Sequence, residues 1–141
     1  DNNARLVLIG VGESLDYCKH KVKTLDIIDK VIFLGLQANV NEWMQAFDVF
    51  VMPSIYEGLP FVLVEAQTAS LPCVIADTIN QDVAITNNVS FVSLENSIDM
   101  WLKTILGYKG AIREDNALVI SNNGFSIAST VNYLEKIYAG L

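Results

Sequence analysis

The sequence is short of the residue types on which many small active domains depend. It holds two cysteines, Cys18 and Cys73, and a single histidine, His20, in 141 residues. Two such cysteines are no disulfide framework, and this usage suits the cytosol. One histidine cannot build a clustered zinc site. Basic side chains are scarce: nine Lys and Arg stand against sixteen Asp and Glu, a net charge of −7. That balance carries no footprint for a phosphodiester backbone, so nucleic acid is excluded as a partner. Attachment of this domain to an anionic membrane surface is disfavoured for the same reason. There is no long apolar run of membrane-spanning length, no signal-peptide pattern and no phosphate-binding GxxxxGK[ST] run. Asp1 lies almost directly before a strand, with no initiator Met, which reads as a piece of a longer protein.

What is present is apolar: 52% of the chain, with only 18% charged residues. This predicts one domain able to bury roughly two thirds of its unfolded surface, around a sheet covered on both faces. Arg5 to Ile9 reads as a first strand, followed by Gly10-Val11-Gly12. Ser14 is placed to cap a surface helix over Leu15 to Leu25. Val31 to Leu34 is a second strand, ended by Gly35. Asn39 is placed to cap a short helix through Ala46, with Trp43 as a partly buried core residue. Val49 to Met52, Phe61 to Ala69 and Cys73 to Ala76 follow as strand, helix and strand, with Cys73 a small buried hydrophobe. Gln81 to Thr86 is a short helix, Phe91 to Leu94 an edge-like strand, and Ser97 to Leu106 an amphipathic helix. Arg113 to Ser121 and Phe125 to Tyr138 are the last helices, parted by Asn122-Asn123-Gly124. The alternation predicts an α/β class: a three-layer, Rossmann-like parallel sheet with C-terminal helices.

The chain is organised around residues 47–76. Between the third strand and third helix lies Pro53-Ser54-Ile55-Tyr56-Glu57-Gly58-Leu59-Pro60. In parallel α/β sheets ligands bind at strand carboxyl ends and helix amino ends. Pro60 suits the first helical position, where the missing N–H has no partner to lose. The amides of Phe61, Val62 and Leu63 would then be first-turn orphans, suited to a diphosphate. Glu57, just outside the helix, either accepts sugar hydroxyls and stabilises positive charge on a sugar carbon, or caps the positive helix end. Glu65 sits among Val62, Leu63, Val64 and Ala66, an apolar setting in which a carboxylate needs a partner. Two ribose hydroxyls would satisfy it; a salt bridge or a solvent-facing position would also do so. Gly10 and Gly12 frame a nucleotide or form a plain tight turn, since the third glycine of the dinucleotide fingerprint is missing. Asp77, Asn80 and Asp82 read as turn and cap residues.

These motifs resemble a known family. Ser54-x-x-Glu57-Gly58-Leu59-Pro60 with Glu65-Ala66, two glutamates separated by seven residues, is similar to the hallmark of GT-B retaining glycosyltransferases of family 4, group 1. The runs Val31 to Gly35, Phe47 to Ser54 and Leu71 to Ile75, and the GxG after the first strand, match that family's order. The likeness is strongest to its capsular and exopolysaccharide branch. It implies that residues 1–141 form the C-terminal, nucleotide-sugar-binding half of a GT-B fold.

By position the resemblance implies that Glu57 contacts the donor sugar near the reacting carbon and that Glu65 holds the ribose. It implies that Gly58, Leu59, Pro60, Phe61, Val62 and Leu63 cradle sugar hydroxyls and diphosphate. The backbone around Val31 and Ile32 would read the nucleobase, with Gly10 and Gly12 framing the far side. No cofactor and no metal are implied. The partners implied are a nucleotide-diphosphate sugar and, through an absent N-terminal domain, a glycan or lipid-linked acceptor. Any membrane contact would come through that absent half, which would also carry the basic pair that neutralises the phosphates. Ser70 departs from the family's usual Gly, and Gln81-Asp82 from its usual glycine-containing loop and glutamate. The alternatives are a non-catalytic binding or regulatory subunit of the same fold, or a sugar-nucleotide epimerase.

Overall fold

A computed structural model describes residues 3–140. Asp1 and Leu141, the ends of the anticipated domain, lie outside the described residues. The chain divides into two compact units, residues 1–40 and 41–141. All strand pairings are parallel, with helices between the strands, as the α/β reading requires.

In the first unit, β1 (Leu6–Ile9) pairs with β2 (Val31–Gly35) through Leu6↔Val31, Val7↔Ile32 and Leu8↔Phe33. The register then shifts, and Ile9 meets Gly35. The crossover is α1 (Leu15–Thr24), with Asp16 in its first turn and Lys21 and Lys23 in its last, the polarity that suits a helix dipole. Ser14 occupies the N-cap position but makes no side-chain capping bond there. A short 3₁₀ turn, Ile28–Lys30, leads into β2.

The second unit carries a three-stranded sheet in the order β3 (Phe50–Met52), β4 (Cys73–Ala76), β5 (Val89–Val92). The central strand, Cys73-Val74-Ile75-Ala76, is completely buried, so its run is continuously apolar instead of alternating. Around it pack Leu63 and Ala66 of α3 (Phe61–Thr68), together with Leu71 and Ile79, all buried. Leu63, Leu71 and Ile79 each contribute about 1.5–3 kcal/mol by leaving water. β5 is the anticipated edge strand, but it lies two residues earlier than the sequence reading placed it. Cys73 N donates to Asn88 O at 2.8 Å and fixes the pairing Cys73↔Val89. The chain turns away at Ser93, whose carbonyl accepts Asn96 N and the Trp101 indole N–H.

Helix α2 (Val40–Ala46) buries Met44, and Trp43 is half-buried and stacked on Phe47, with ring centroids 6.4 Å apart. Helix α4 (Ile98–Gly107) covers Trp101 and Ile105 partly, while Ile98, Leu102 and Leu106 stay exposed. The helix anticipated over Arg113 to Ser121 is reduced to α5 (Ala117–Ile120), followed by a π turn, Ser121–Phe125. Tertiary bonds account for the loss. Arg113 Nη1 donates to Met44 O and Gln45 O, capping α2, and Asn116 N donates to Ser70 Oγ at 3.2 Å. Gly124, at φ 90°, makes the kink, and α6 (Ile127–Ala139) follows. The apolar positions of α6, Ile127, Val131, Leu134 and Ile137, are exposed.

Candidate functional site

The site is built on the segment from β3 to α3. Pro53 leaves β3, and Pro60 closes the loop as a buried N-cap with extended backbone, φ −76° and ψ 97°. Pro60 therefore precedes the helix instead of occupying its first position, and α3 starts at Phe61. Leu63 N donates to Pro60 O at 2.9 Å, so the Leu63 amide is not an orphan, contrary to the sequence reading. The Phe61 and Val62 amides donate to no protein group among the described residues. These two N–H groups, at the positive end of the helix, are what the structure leaves free for an anion.

Helical geometry sorts the side chains of α3. Leu63, Val64, Ala66 and Gln67 are buried, while Phe61, Glu65 and Thr68 form an exposed stripe at positions i, i+4 and i+7. Of the positions left open for Glu65, the structure gives the solvent-facing one. Its sequence neighbours turn inward, and Glu65 faces out beside Phe61, which is 68% exposed. Glu57 is half-buried, Gly58 and Leu59 are exposed, and Ile55 and Tyr56 are 81% and 82% exposed. Neither Glu57 nor the Glu65 carboxylate has a hydrogen-bond partner or ion pair among the described residues. Both carboxylates are available to a ligand, one before the helix start and one on its outer face.

The remaining candidate residues lie in the first unit. Gly10 has φ 123°, a conformation open to glycine, and its N–H donates to Gly35 O at 2.7 Å. Gly12 O accepts from Leu15 N as α1 begins. Val31 is buried and Ile32 partly exposed. The parallel register places Val31 and Ile32 at the amino end of β2, opposite Leu6 and Val7. Gly10 and Gly12 follow the carboxyl end of β1, so the two pairs sit at opposite ends of this ladder and are not brought together.

Gln67 is fully buried, a residue that the sequence reading missed. Its Nε2 donates to Val83 O at 2.9 Å and Leu63 O at 3.3 Å, and its Oε1 accepts from Ile85 N, Thr86 N and Thr86 Oγ1. The available signal was one amide within a run that is otherwise apolar on its inner face. Ser70, at φ 57°, terminates α3: Ser70 N donates to Gln67 O and Leu71 N to Ala66 O. This is the paired ending for which glycine is the usual choice, and it lies at the far end of α3 from Phe61. The Ser70 departure therefore belongs to the helix terminus and not to the site. Asn80 caps the 3₁₀ turn Gln81–Val83 by accepting Asp82 N at 3.0 Å, and Asp77 N donates to Val92 O. These are the turn and cap roles read for them. Cys73 is likewise the buried hydrophobe anticipated; burial pushes its thiol pKa up to about 12. Among the described residues no group of three His, Cys, Asp or Glu could hold a metal ion.

Parallel strands with intervening helices and a loop leading into a helix start define a Rossmann-like α/β domain. Solved structures bear out the fold: Anabaena Alr3699/HepE in complex with UDP-glucose superimposes with a TM-score of 0.77 at 18% identity, covering 97% of this chain and 41% of that one. The sequence identifies the family. Residues 1–108 match the profile described as Glycosyl transferases group 1, and the chain belongs to that family. It is 37% identical over 138 residues to "Putative glycosyltransferase EpsF" of Bacillus subtilis (strain 168), covering 95% of this chain and 36% of that protein. It is 27% identical over 142 residues to the UDP-Gal:alpha-D-GlcNAc-diphosphoundecaprenol alpha-1,3-galactosyltransferase of Escherichia coli, covering 94% of this chain and 36% of that protein. The chain thus spans about a third of the length of these curated relatives. No helix among the described residues is long and apolar enough to cross a membrane.

Proposed function

We propose that this chain is the donor-binding half of a retaining glycosyltransferase. The parent protein moves a sugar from a nucleotide-diphosphate sugar to a glycan or lipid-linked acceptor. The observation that carries the reading is the start of α3: two amides and two nearby carboxylates that have no protein partner among the described residues, in a group 1 chain. The diphosphate sits on the Phe61 and Val62 N–H groups, where the helix end favours negative charge and stabilises the leaving group. Glu65 accepts the ribose hydroxyls from its exposed position. Glu57 lies beside the donor sugar and stabilises positive charge developing at its reacting carbon. Gly58, Leu59 and Pro60 line the sugar side.

A nucleotide-sugar donor is supported by the UDP-glucose named in the HepE structure and the UDP-Gal named for the E. coli relative. The latter's name also contains a lipid diphosphate acceptor, which supports the lipid-linked class here. On this reading the acceptor domain and the basic pair for the phosphates lie in the rest of the parent; that the chain spans about a third of its relatives' length supports it. The reaction needs no metal on this reading, takes place in the cytoplasm, and any membrane contact comes through that other part.

The test is to incubate the full-length protein with UDP-, GDP- and ADP-sugars, with and without lipid-linked acceptor, and to analyse products by NMR. Transfer with retained anomeric configuration is expected for at least one donor. Absence of donor binding would favour the non-catalytic subunit, and a changed sugar without acceptor would favour the epimerase.

A further inference from the structure

Residues 54–59 are weakly held by their own contacts. Ile55, Tyr56, Gly58 and Leu59 are all exposed, so no apolar side chain of this stretch anchors it. Pro60 is buried and fixes the far end. Between Ser54 and Leu59, one hydrogen bond joins the loop to another part of the described chain: Thr78 Oγ1 donates to Ser54 O at 2.9 Å. Thr78 stands on a rigid post. It leaves β4 between Asp77, whose N–H is bonded to Val92 O, and Ile79, which is buried and whose N–H is bonded to Ala76 O. Because β3 and β4 are adjacent and parallel, with Met52 paired to Ile75, the loops at their carboxyl ends are neighbours. The hydroxyl bridges that gap. Glu57 lies midway between the two fixed points, three residues from Ser54 and three from Pro60.

We infer that Thr78 is a positioning residue: its hydroxyl pins Ser54 and so holds Glu57 where the donor sugar reacts. The inference rests on the role proposed above for Glu57. Thr78 is itself exposed, so its substitution leaves no buried cavity, and effects on folding and on positioning can be separated.

The experiment compares Thr78→Val, which removes the hydroxyl, with Thr78→Ser, which keeps it, in the full-length protein. Amide hydrogen exchange is followed over residues 54–59. Turnover of UDP-glucose, UDP-galactose, UDP-N-acetylglucosamine and GDP-mannose is followed in parallel. Thr78→Val is expected to speed exchange across 54–59 alone and to lower kcat by about 10- to 100-fold, as a small misplacement of a reacting group does. KM should stay within about threefold, because a displaced Glu57 affects the reacting carbon more than donor binding. The midpoint of thermal unfolding should move by less than ~2 °C, as for other exposed substitutions. Thr78→Ser should restore both slow exchange and turnover. Unchanged exchange in Thr78→Val overturns the pin, whatever activity does. Faster exchange with unchanged kcat, or equal losses in the Val and Ser variants, overturns the positioning role. If the unsubstituted protein turns over none of the four donors, the functional reading and Glu57's part in it fall, while the exchange result alone still decides whether Thr78 holds the loop.

Discussion

Gln67 and Thr86 are joined twice: the Gln67 side-chain oxygen accepts both the Thr86 amide, at 3.0 Å, and the Thr86 hydroxyl, at 3.2 Å. The same oxygen accepts Ile85 N at 2.9 Å, while the amide nitrogen serves Val83 O. A buried carboxamide so fully satisfied ties α3 to the segment that enters β5. Replacing it with leucine would strand several backbone groups without water or partner. Gln67→Leu is expected to destabilise the chain by about 2–4 kcal/mol. Urea unfolding would check this, and a change below about 0.5 kcal/mol, the ordinary surface effect, would show that the network is dispensable.

Ser70 separates two energies at one position. Its left-handed backbone, φ 57°, costs a residue with a Cβ about 1 kcal/mol relative to glycine, and its hydroxyl returns about as much by accepting Asn116 N. Ser70→Gly removes both and should lie within about 0.5 kcal/mol of the unsubstituted chain. Ser70→Ala keeps the strain, loses the bond and should cost about 1–2 kcal/mol. Denaturation midpoints in the order Ala below Gly are expected; the reverse order would refute this division.

Cys73 supplies a pH dependence with a definite sign. Its thiol is raised by burial from 9.0 to about 12, so the folded state keeps the proton over a range where the unfolded chain loses it. The stability tied to this group is fully present below about pH 9 and is lost as pH rises toward about 12, up to about 4 kcal/mol in all. Cys73→Ala abolishes the titration at the cost of a small cavity. The difference between the two unfolding curves should therefore shrink from pH 9 upward. Parallel curves would show that the thiol does not couple to folding.

The β3–α3–β4 unit was legible because its signals are local: apolar runs bounded by Pro53, Pro60 and Pro72, with Cys73–Ala76 buried on both faces. What was misplaced depends on distant groups. The start of β5 is decided by Asn88 and Cys73, and the shortening of α5 by Ser70 and Arg113, which reach across the second unit. Glu65 looked enclosed because adjacency in sequence was taken for adjacency in space, whereas one residue along a helix is a turn of about 100°. Gln67 escaped notice because its importance lies in partners sixteen to nineteen residues away. At the site, the loop and both glutamates were readable as a motif. The use of the Leu63 amide by Pro60 O was not, since it depends on where the cap falls.

Glu57 tests the chemical half of the proposal. It has no partner to strand among the described residues, so Glu57→Gln should leave the thermal midpoint within about 2 °C. In the full-length protein kcat should fall by roughly 100-fold or more, with KM little changed, because charge stabilisation is felt chiefly in the transition state. Equal loss of stability and activity would mark Glu57 as structural.

Calorimetric titration of the full-length protein and its Glu65→Gln variant with UDP-glucose, UDP-galactose, GDP-mannose and ADP-glucose tests most directly whether the outer face of α3 holds the donor. The account predicts saturable binding of at least one donor, weakened about 10- to 100-fold by Glu65→Gln, the effect of losing charged hydrogen bonds, with unfolding unchanged. Binding of equal affinity in both proteins would contradict it.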